Sequence, residues 1–385
     1  MWGHKGRPIL IEKKSYNLFD YIFWVGNFSF SAFPFSQLDA LVFAILSYVQ
    51  FDKIFEKHGK SLIKSIDKKI TLANLSSYFF EEEDVESIAN QGEFDQKYIW
   101  LLHQLAKSKR YQNLKLFAYQ NKFSTERQEQ FCAITIELPK NRYVVAYRGT
   151  DNNLVSWKED FNMSFMDVIP SQKEASAYFN KIAKRHPGTF YLVGHSKGGN
   201  LAAFASLHCP KTIQRRICKI YNFDGPGFGY DTIETKLYKK IEGRLITVVP
   251  SSSIVGMLLQ HDEPYVVVES SNIGFLSHDP FSWSVEFGTF KEIPEISKKS
   301  QKIGATLRTW LQKTQKSNLQ IFVDTLYNIL ISTEAETIDD LISEGGKLPV
   351  RIIRAISKLD KETRDIVIST LATLLSSSIR PQLKE

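Results

Sequence analysis

Apolar positions fall into successive textures along the chain. Over residues 1 to about 110 they are dense, rich in aromatics and spaced for helices, which predicts helices at 37–50, 83–90 and 95–108. The run ALVFAILSYVQF at 40–51 is apolar on every side but only about half of the roughly 20 residues a membrane span needs, so it reads as a buried core helix. Between about 113 and 147 the texture changes to short β-type runs, LKLFAYQ, FCAITIEL and RYVVAYRG, separated by polar turns such as LPKNR, the pattern of an antiparallel meander. A helix at 172–185 follows, then the breaker His186-Pro187-Gly188, the strand TFYLV, a glycine-framed turn, a helix at 198–208, and the strands ICKIYNF, RLITVVP and YVVVES. Strands alternating with helices imply a parallel sheet built from βαβ units. From about 291 the segment KEIPEISKKSQK reads as a linker, after which Ile303, Leu307, Trp310 and Leu311, then Leu319, Phe322, Val323 and Leu326, then Ile366, Val367, Thr370, Leu371 and Leu374 recur at helical spacing. The expected organisation is a helical N-terminal region (1–110) packed on an α/β core (111–290), with a helical C-terminal appendage (291–385).

Composition narrows the function only by exclusion. The 49 basic against 42 acidic residues give a charge of +7, but Lys and Arg are scattered rather than blocked, so no nucleic-acid partner is expected and peripheral contact with an anionic membrane is left open. Cys132, Cys209 and Cys218 are odd in number and form no CxxC pair, arguing against a disulfide framework or a metal site. The N-terminal stretch MWGHKGRPILIEKKSY lacks an apolar core and a small-residue cleavage site, so cytoplasmic residence is the expectation.

The chemistry concentrates in YLVGHSKGGNLAAFAS, residues 191–206. Gly194-His195-Ser196-Lys197-Gly198 fits G-x-S-x-G between an apolar strand and a helix, the context a nucleophile elbow requires. The glycines let strand and helix approach, and the helix N-terminus directs free N–H groups toward developing negative charge. A serine hydroxyl alone is a weak nucleophile, so it needs a base, an acid that orients the base, and donors for the oxyanion.

VVAYRGTDNNLVSWKEDF (144–161), YLVGHSKGGNLA (191–202) and IYNFDGPGFG (220–229) resemble, in order and spacing, three signatures of class 3 lipases of the α/β-hydrolase superfamily. The similarity runs over residues 113–287 and is nearest to a bacterial branch with Lys after the nucleophile and Asp-Gly-Pro-Gly in the third motif. The resemblance implies Ser196 as nucleophile and the backbone N–H groups of Lys197 and Thr150 as oxyanion donors, each able to lower the barrier by about 3 kcal/mol. Trp157 and Asp160 match a W-x-x-D element, read either as a loop positioned over the site or as an ordinary amphipathic turn, and Arg148 as a structural ion-pair partner.

In this fold the chain order is nucleophile, acid, histidine. Only His261 and His278 follow the YNFDGPGFG strand end; His278, in GFLSHDPFSW after the last strand, is the expected base and His261 the alternative. The usual class 3 acid position falls in VVPSSSIVG and reads Ser253. Asp224, one strand earlier in NFDGPGF, resembles the placement in pancreatic-type lipases and is the expected acid, with an Asx-turn cap as its ordinary alternative and Asp262 and Asp279 as fallbacks.

The expected activity is hydrolysis of a carboxylic ester, a lipid ester among the candidates, through an acyl-enzyme, with no cofactor or metal; the rival is a catalytically silent scaffold that binds a partner or membrane surface. Leu154, Val155, Trp157, Phe161, Met163, Phe165 and Met166 read equally as a lid over an acyl groove or as core.

Overall fold

The computed structural model describes residues 15–52, 64–82, 93–151, 153–233, 235–332 and 353–379. The reading of residues 1–14 and the helix expected at 83–90 lie outside these. Eight strands form one sheet in sequence order: β1 (Ile70–Thr71), β2 (Lys115–Ser124), β3 (Glu129–Leu138), β4 (Arg142–Tyr147), β5 (Thr189–His195), β6 (Ile217–Phe223), β7 (Leu245–Pro250) and β8 (Tyr265–Val268). The meander β1–β4 is antiparallel. From β4 through β8 every neighbouring pair is parallel. A small hairpin, β9 (Val285–Glu286) with β10 (Thr289–Phe290), stands apart.

The strands are apolar on both faces because both are covered. Val144, Ala146, Val193, Phe223 and Val248 point to a core shared with the N-terminal helices α1 (Leu18–Val25), α2 (Gln37–Leu46), α3 (Leu72–Glu82) and α4 (Glu93–Lys107). Val145, Tyr147 and Leu192 alternate to the opposite face, where α6 (Pro170–Arg185) and α7 (Lys197–Leu207) pack. Helix α2 is buried from Leu38 to Leu46, matching its all-round apolar sequence. A mostly parallel eight-stranded sheet with helices on both faces is α/β-hydrolase architecture. No helix among the described residues is long and apolar enough to cross a membrane.

Three helices depart from the sequence reading. Helices α1 and α3, both rich in aromatics, lie outside the three expected helices, although Asn17 and Asp20 form a capping box at α1. Residues Leu154–Asn162, read as a lid or as core and, at W-x-x-D, as a loop or an amphipathic turn, form helix α5, capped by Asn153.

The segment read as a linker is also structured. Residues 291–297 run beside β8: Glu269 N–H donates to the Lys291 carbonyl and Ile293 N–H to the Val267 carbonyl, each at 2.9 Å. Helix α8 (Lys298–Lys313) then packs on the turn at 255–257, where Arg308 Nη1 donates to the Met257 carbonyl at 3.3 Å. Helix α9 (Lys316–Ile331) packs on α5, with Lys158 paired to Asp324 at 2.9 Å and lying 4.4 Å from the Tyr327 ring centre. Helix α10 (Lys361–Ile379) crosses both, accepting Trp310 Nε1–H at the Thr370 carbonyl.

The N-terminal layer is pinned by one buried carboxylate. Asp39 accepts Arg110 Nε at 3.0 Å and Nη2 at 2.6 Å, the Tyr111 hydroxyl at 2.6 Å, and Ser36 N–H at 2.9 Å. Both ionic side chains are fully buried. Removing one partner strands the other charge, so Asp39→Asn should lower the unfolding free energy by about 3–5 kcal/mol. Urea denaturation checks this: a lower midpoint at unchanged slope is expected.

Candidate active site

The serine turn is built by crowding. Strand β5 ends at His195 and α7 starts at Lys197, leaving Ser196 at φ 57°, ψ −137°. That region is rarely occupied by residues with a side chain and costs on the order of 1–3 kcal/mol. The turn can be this tight because a Cβ on Gly194 would lie 2.0 Å from the Gly198 carbonyl oxygen, and one on Gly198 2.2 Å from that of Tyr147. Ser196 N–H donates to the Phe223 carbonyl and its own carbonyl accepts Gly199 N–H, both at 2.9 Å, which anchors the turn to the neighbouring strand and its own helix.

His278 ends a short 3-10 turn, Gly274–His278, beyond β8. Its Nδ1 lies 2.6 Å from Asp224 Oδ2. Asp224 leaves β6 at φ 50°, a left-handed conformation that Asp tolerates better than most residues, with its N–H bound to the Val248 carbonyl. Its other oxygen, Oδ1, accepts the Ser253 hydroxyl at 2.5 Å and Gly256 N–H at 3.1 Å. The serine at the usual acid position thus supports the carboxylate one strand away. Asp224 does not cap its own turn; Asn222 does, accepting Gly225 N–H at 2.9 Å.

The alternatives sit elsewhere. Asp262 pairs with Lys239 on the surface. Asp279 accepts Phe281 N–H and Lys97 Nζ, each at 3.0 Å. His261 bonds through Nδ1 to Glu263 at 2.9 Å, and Glu263 also accepts the Thr247 and Tyr238 hydroxyls. Burial alone would raise the Glu263 carboxyl, but His261 and these hydroxyls outweigh it and hold the pKa down at about 2. His261 is thereby committed to a different carboxylate from His278.

His195, the residue before the serine, carries a role that reading the motif did not expose. Burial, with His278 adjacent, pushes its pKa well below the usual range, so the ring is neutral. One nitrogen therefore donates and the other accepts. Nε2 lies 2.9 Å from the His278 carbonyl, which can only accept, so Nδ1 accepts the Tyr48 hydroxyl at 3.1 Å. The two imidazoles lie 4.5 Å apart between ring centres. Tyr48, just past the end of α2, thus braces the backbone of the His278 loop through one buried histidine.

The Arg148-Gly149-Thr150 turn presses against the elbow: a Cβ on Gly149 would lie 2.6 Å from the His195 carbonyl and 2.9 Å from Ser196 Cβ. The Thr150 hydroxyl donates to Asp160. Burial raises the Asp160 carboxyl to about 6 against the opposing pull of Lys197. Lys197 turns its side chain inward, 2.8 Å from Glu159 Oε2 and 3.7 Å from Asp160 Oδ1. Arg148 is buried, donating to Asn121 at 2.9 Å and lying 3.8 Å from Asp151. Along α5, Leu154 and Val155 are core while Phe161 is exposed, so the lid candidates divide between interior and surface. Trp157 meets Phe161 and Phe275, with ring centres 6.4 and 6.0 Å apart. Among the described residues no group of side chains is arranged to hold a metal ion.

A family model described as Mbeg1-like matches residues 105–328. Among solved structures, the crystal structure of M37 lipase is similar at 16% identity and a TM-score of 0.35, covering 57% of this chain and 67% of that one. No curated protein matches.

If Asp224 orients His278, Asp224→Asn should cut ester turnover by up to about four orders of magnitude with little change in substrate binding, because the imidazole loses its preferred tautomer. Asp262→Asn and Asp279→Asn should stay near the unmodified rate. Steady-state kinetics on the three variants decides which carboxylate serves the base.

Proposed function

Since the chain belongs to the Mbeg1-like family, itself a lipase-like family, we propose that it is a serine hydrolase that cleaves carboxylic esters through an acyl-enzyme. The observation that carries the reading is the 2.6 Å contact between His278 Nδ1 and a fully buried Asp224, at the same sheet edge as a serine held in a strained elbow. With Nδ1 engaged, Nε2 is the nitrogen that takes the Ser196 proton as the hydroxyl attacks the acyl carbon. The negative charge that forms on the carbonyl oxygen is received by the backbone N–H groups of Lys197 and Thr150, preorganised by the helix start and the adjoining turn. Collapse expels the alcohol, protonated by His278. Water, deprotonated by the same imidazole, then releases the acid and restores Ser196.

An apolar acyl chain suits the surroundings. Ile273 is 79% exposed, Leu276 65% and Phe275 50%, all on the turn that delivers His278, and Phe275 adjoins Trp157 on α5. Exposed apolar clusters of this kind mark binding surfaces.

A serine-reactive phosphonate should label the pure protein, and Ser196→Ala should abolish both labelling and turnover of p-nitrophenyl esters while the fold persists. If unmodified protein is neither labelled nor active across chain lengths and pH, the chain is a silent scaffold instead. Replacing Ile273 and Leu276 together by Ser should lower kcat/KM for long-chain esters by about 30-fold or more, at about 1–3 kcal/mol per lost apolar contact, and leave the shortest ester nearly unchanged. Kinetics over a series of chain lengths measures the difference.

A further inference from the structure

The residue after the nucleophile combines features that ordinary packing does not require. Lys197 is charged, its side chain is 1% exposed, and it sits at the first position of α7, where an alanine would serve the helix equally well. Its ammonium reaches Glu159, itself fully buried, and donates to the Gln130 carbonyl at 3.1 Å. Glu159 in turn accepts Ser171 N–H at 2.9 Å at the start of α6 and Gln130 N–H at 3.1 Å on β3. One step along α5, Asp160 faces the same ammonium and holds the Thr150 hydroxyl. The side chain of one expected oxyanion donor therefore grips the helix that holds the other. Burial would strip the proton from such an ammonium, and the carboxylates of Glu159 and Asp160 more than reverse that pull. A buried ion pair adds little net stability compared with an apolar replacement, so its retention calls for a geometric use.

We propose that the Lys197 ammonium is a positioning group for the oxyanion pocket, fixing α5 and the Thr150 turn against the nucleophile elbow through Glu159 and Asp160. This rests on the serine-hydrolase reading of the same site. Lys197 acts here through its side chain, separately from the backbone N–H that faces the substrate oxygen. With the tie cut, Thr150 N–H is free to drift from the oxyanion while the acyl-binding surface stays in place, so the loss falls on the transition state.

The test is the double variant Lys197→Met with Glu159→Gln in the full chain, which removes both charges together and keeps one acceptor oxygen, enough for one of the two N–H groups of Ser171 and Gln130. Three quantities are read: kcat and KM on a short p-nitrophenyl ester well below the unfolding midpoint, that midpoint, and the inhibition constant of an alkyl boronic acid, which forms a tetrahedral anionic adduct on the serine. We expect kcat to fall about 100-fold, as for a misplaced oxyanion donor, with KM changed less than about threefold and boronate affinity falling in parallel with kcat. A shifted midpoint with kcat and boronate affinity unchanged would mean the pair only supports the fold, and would overturn the proposal. Should the double variant fail to fold, Glu159→Gln alone, which leaves Lys197 beside Asp160, should lose about 10-fold in kcat at constant KM; an unaltered kcat there overturns it equally. Unmodified protein that hydrolyses no ester and binds no boronate would refute the serine-hydrolase reading itself, and this assignment with it.

Discussion

The closeness of β5 and α7 sets the terms for everything around the site. The backbone can turn from strand to helix within one residue only because no Cβ stands at 194 or 198, and the strain this places on Ser196 is held by bonds to Phe223 on β6 and Gly199 on α7. The crowding extends outward. Gly149 must lack a side chain for the R-G-T turn to rest on Ser196, and a Cβ on Gly225 would collide with the Ser196 carbonyl. The turns at Gly149, Ser196 and Gly225 are therefore seated on one another.

Local signals made much of this legible. Meander, alternating strands and serine turn were readable because strand runs bounded by Gly, Pro and Asn have a short period, and because G-x-S-x-G in its strand-to-helix setting has few other uses. Asp224 and His278, 54 positions apart, could be paired by chain order, and the structure brings them together. What stayed hidden depends on contacts distant in sequence. Ser253 read as a missing acid, whereas its hydroxyl donates to Asp224 across the β6–β7 gap. Tyr48 and His195, 147 positions apart, share no local pattern. A signal did exist for Glu159: a lysine immediately after Ser196 opens a helix that packs against the sheet, and W-K-E-D carries two adjacent carboxylates. Helix α5 escaped notice because its apolar residues divide between core and surface and blur the period.

The C-terminal helices reach both halves of the site from behind. Helix α8 rests on the 255–257 turn, whose Gly256 N–H holds Asp224, and α9 rests on α5, whose Asp160 holds Thr150. Ser196, Asp224, His278 and Thr150 thus all lie on or beside the sheet, while contacts that back Asp224 and the Thr150 turn come from the segment after it. Tyr48 supplies the corresponding brace for His278 from the N-terminal layer.

The run of residues 291–297 along β8 has a consequence for how the molecule behaves in a crowd. A parallel sheet ending in a bare strand would offer its unpaired N–H and C=O groups to any other extended chain, the usual start of edge-to-edge aggregation. Here the bridge between Val268 and Glu292 occupies that edge. At the far side β1 pairs with only the first residues of β2, whose remainder is broken by a bulge between Phe117 and Gln120 and carries the ion-paired Lys122. Among the described residues, neither side of the sheet presents a long, flat, apolar edge on which a second molecule could add a strand.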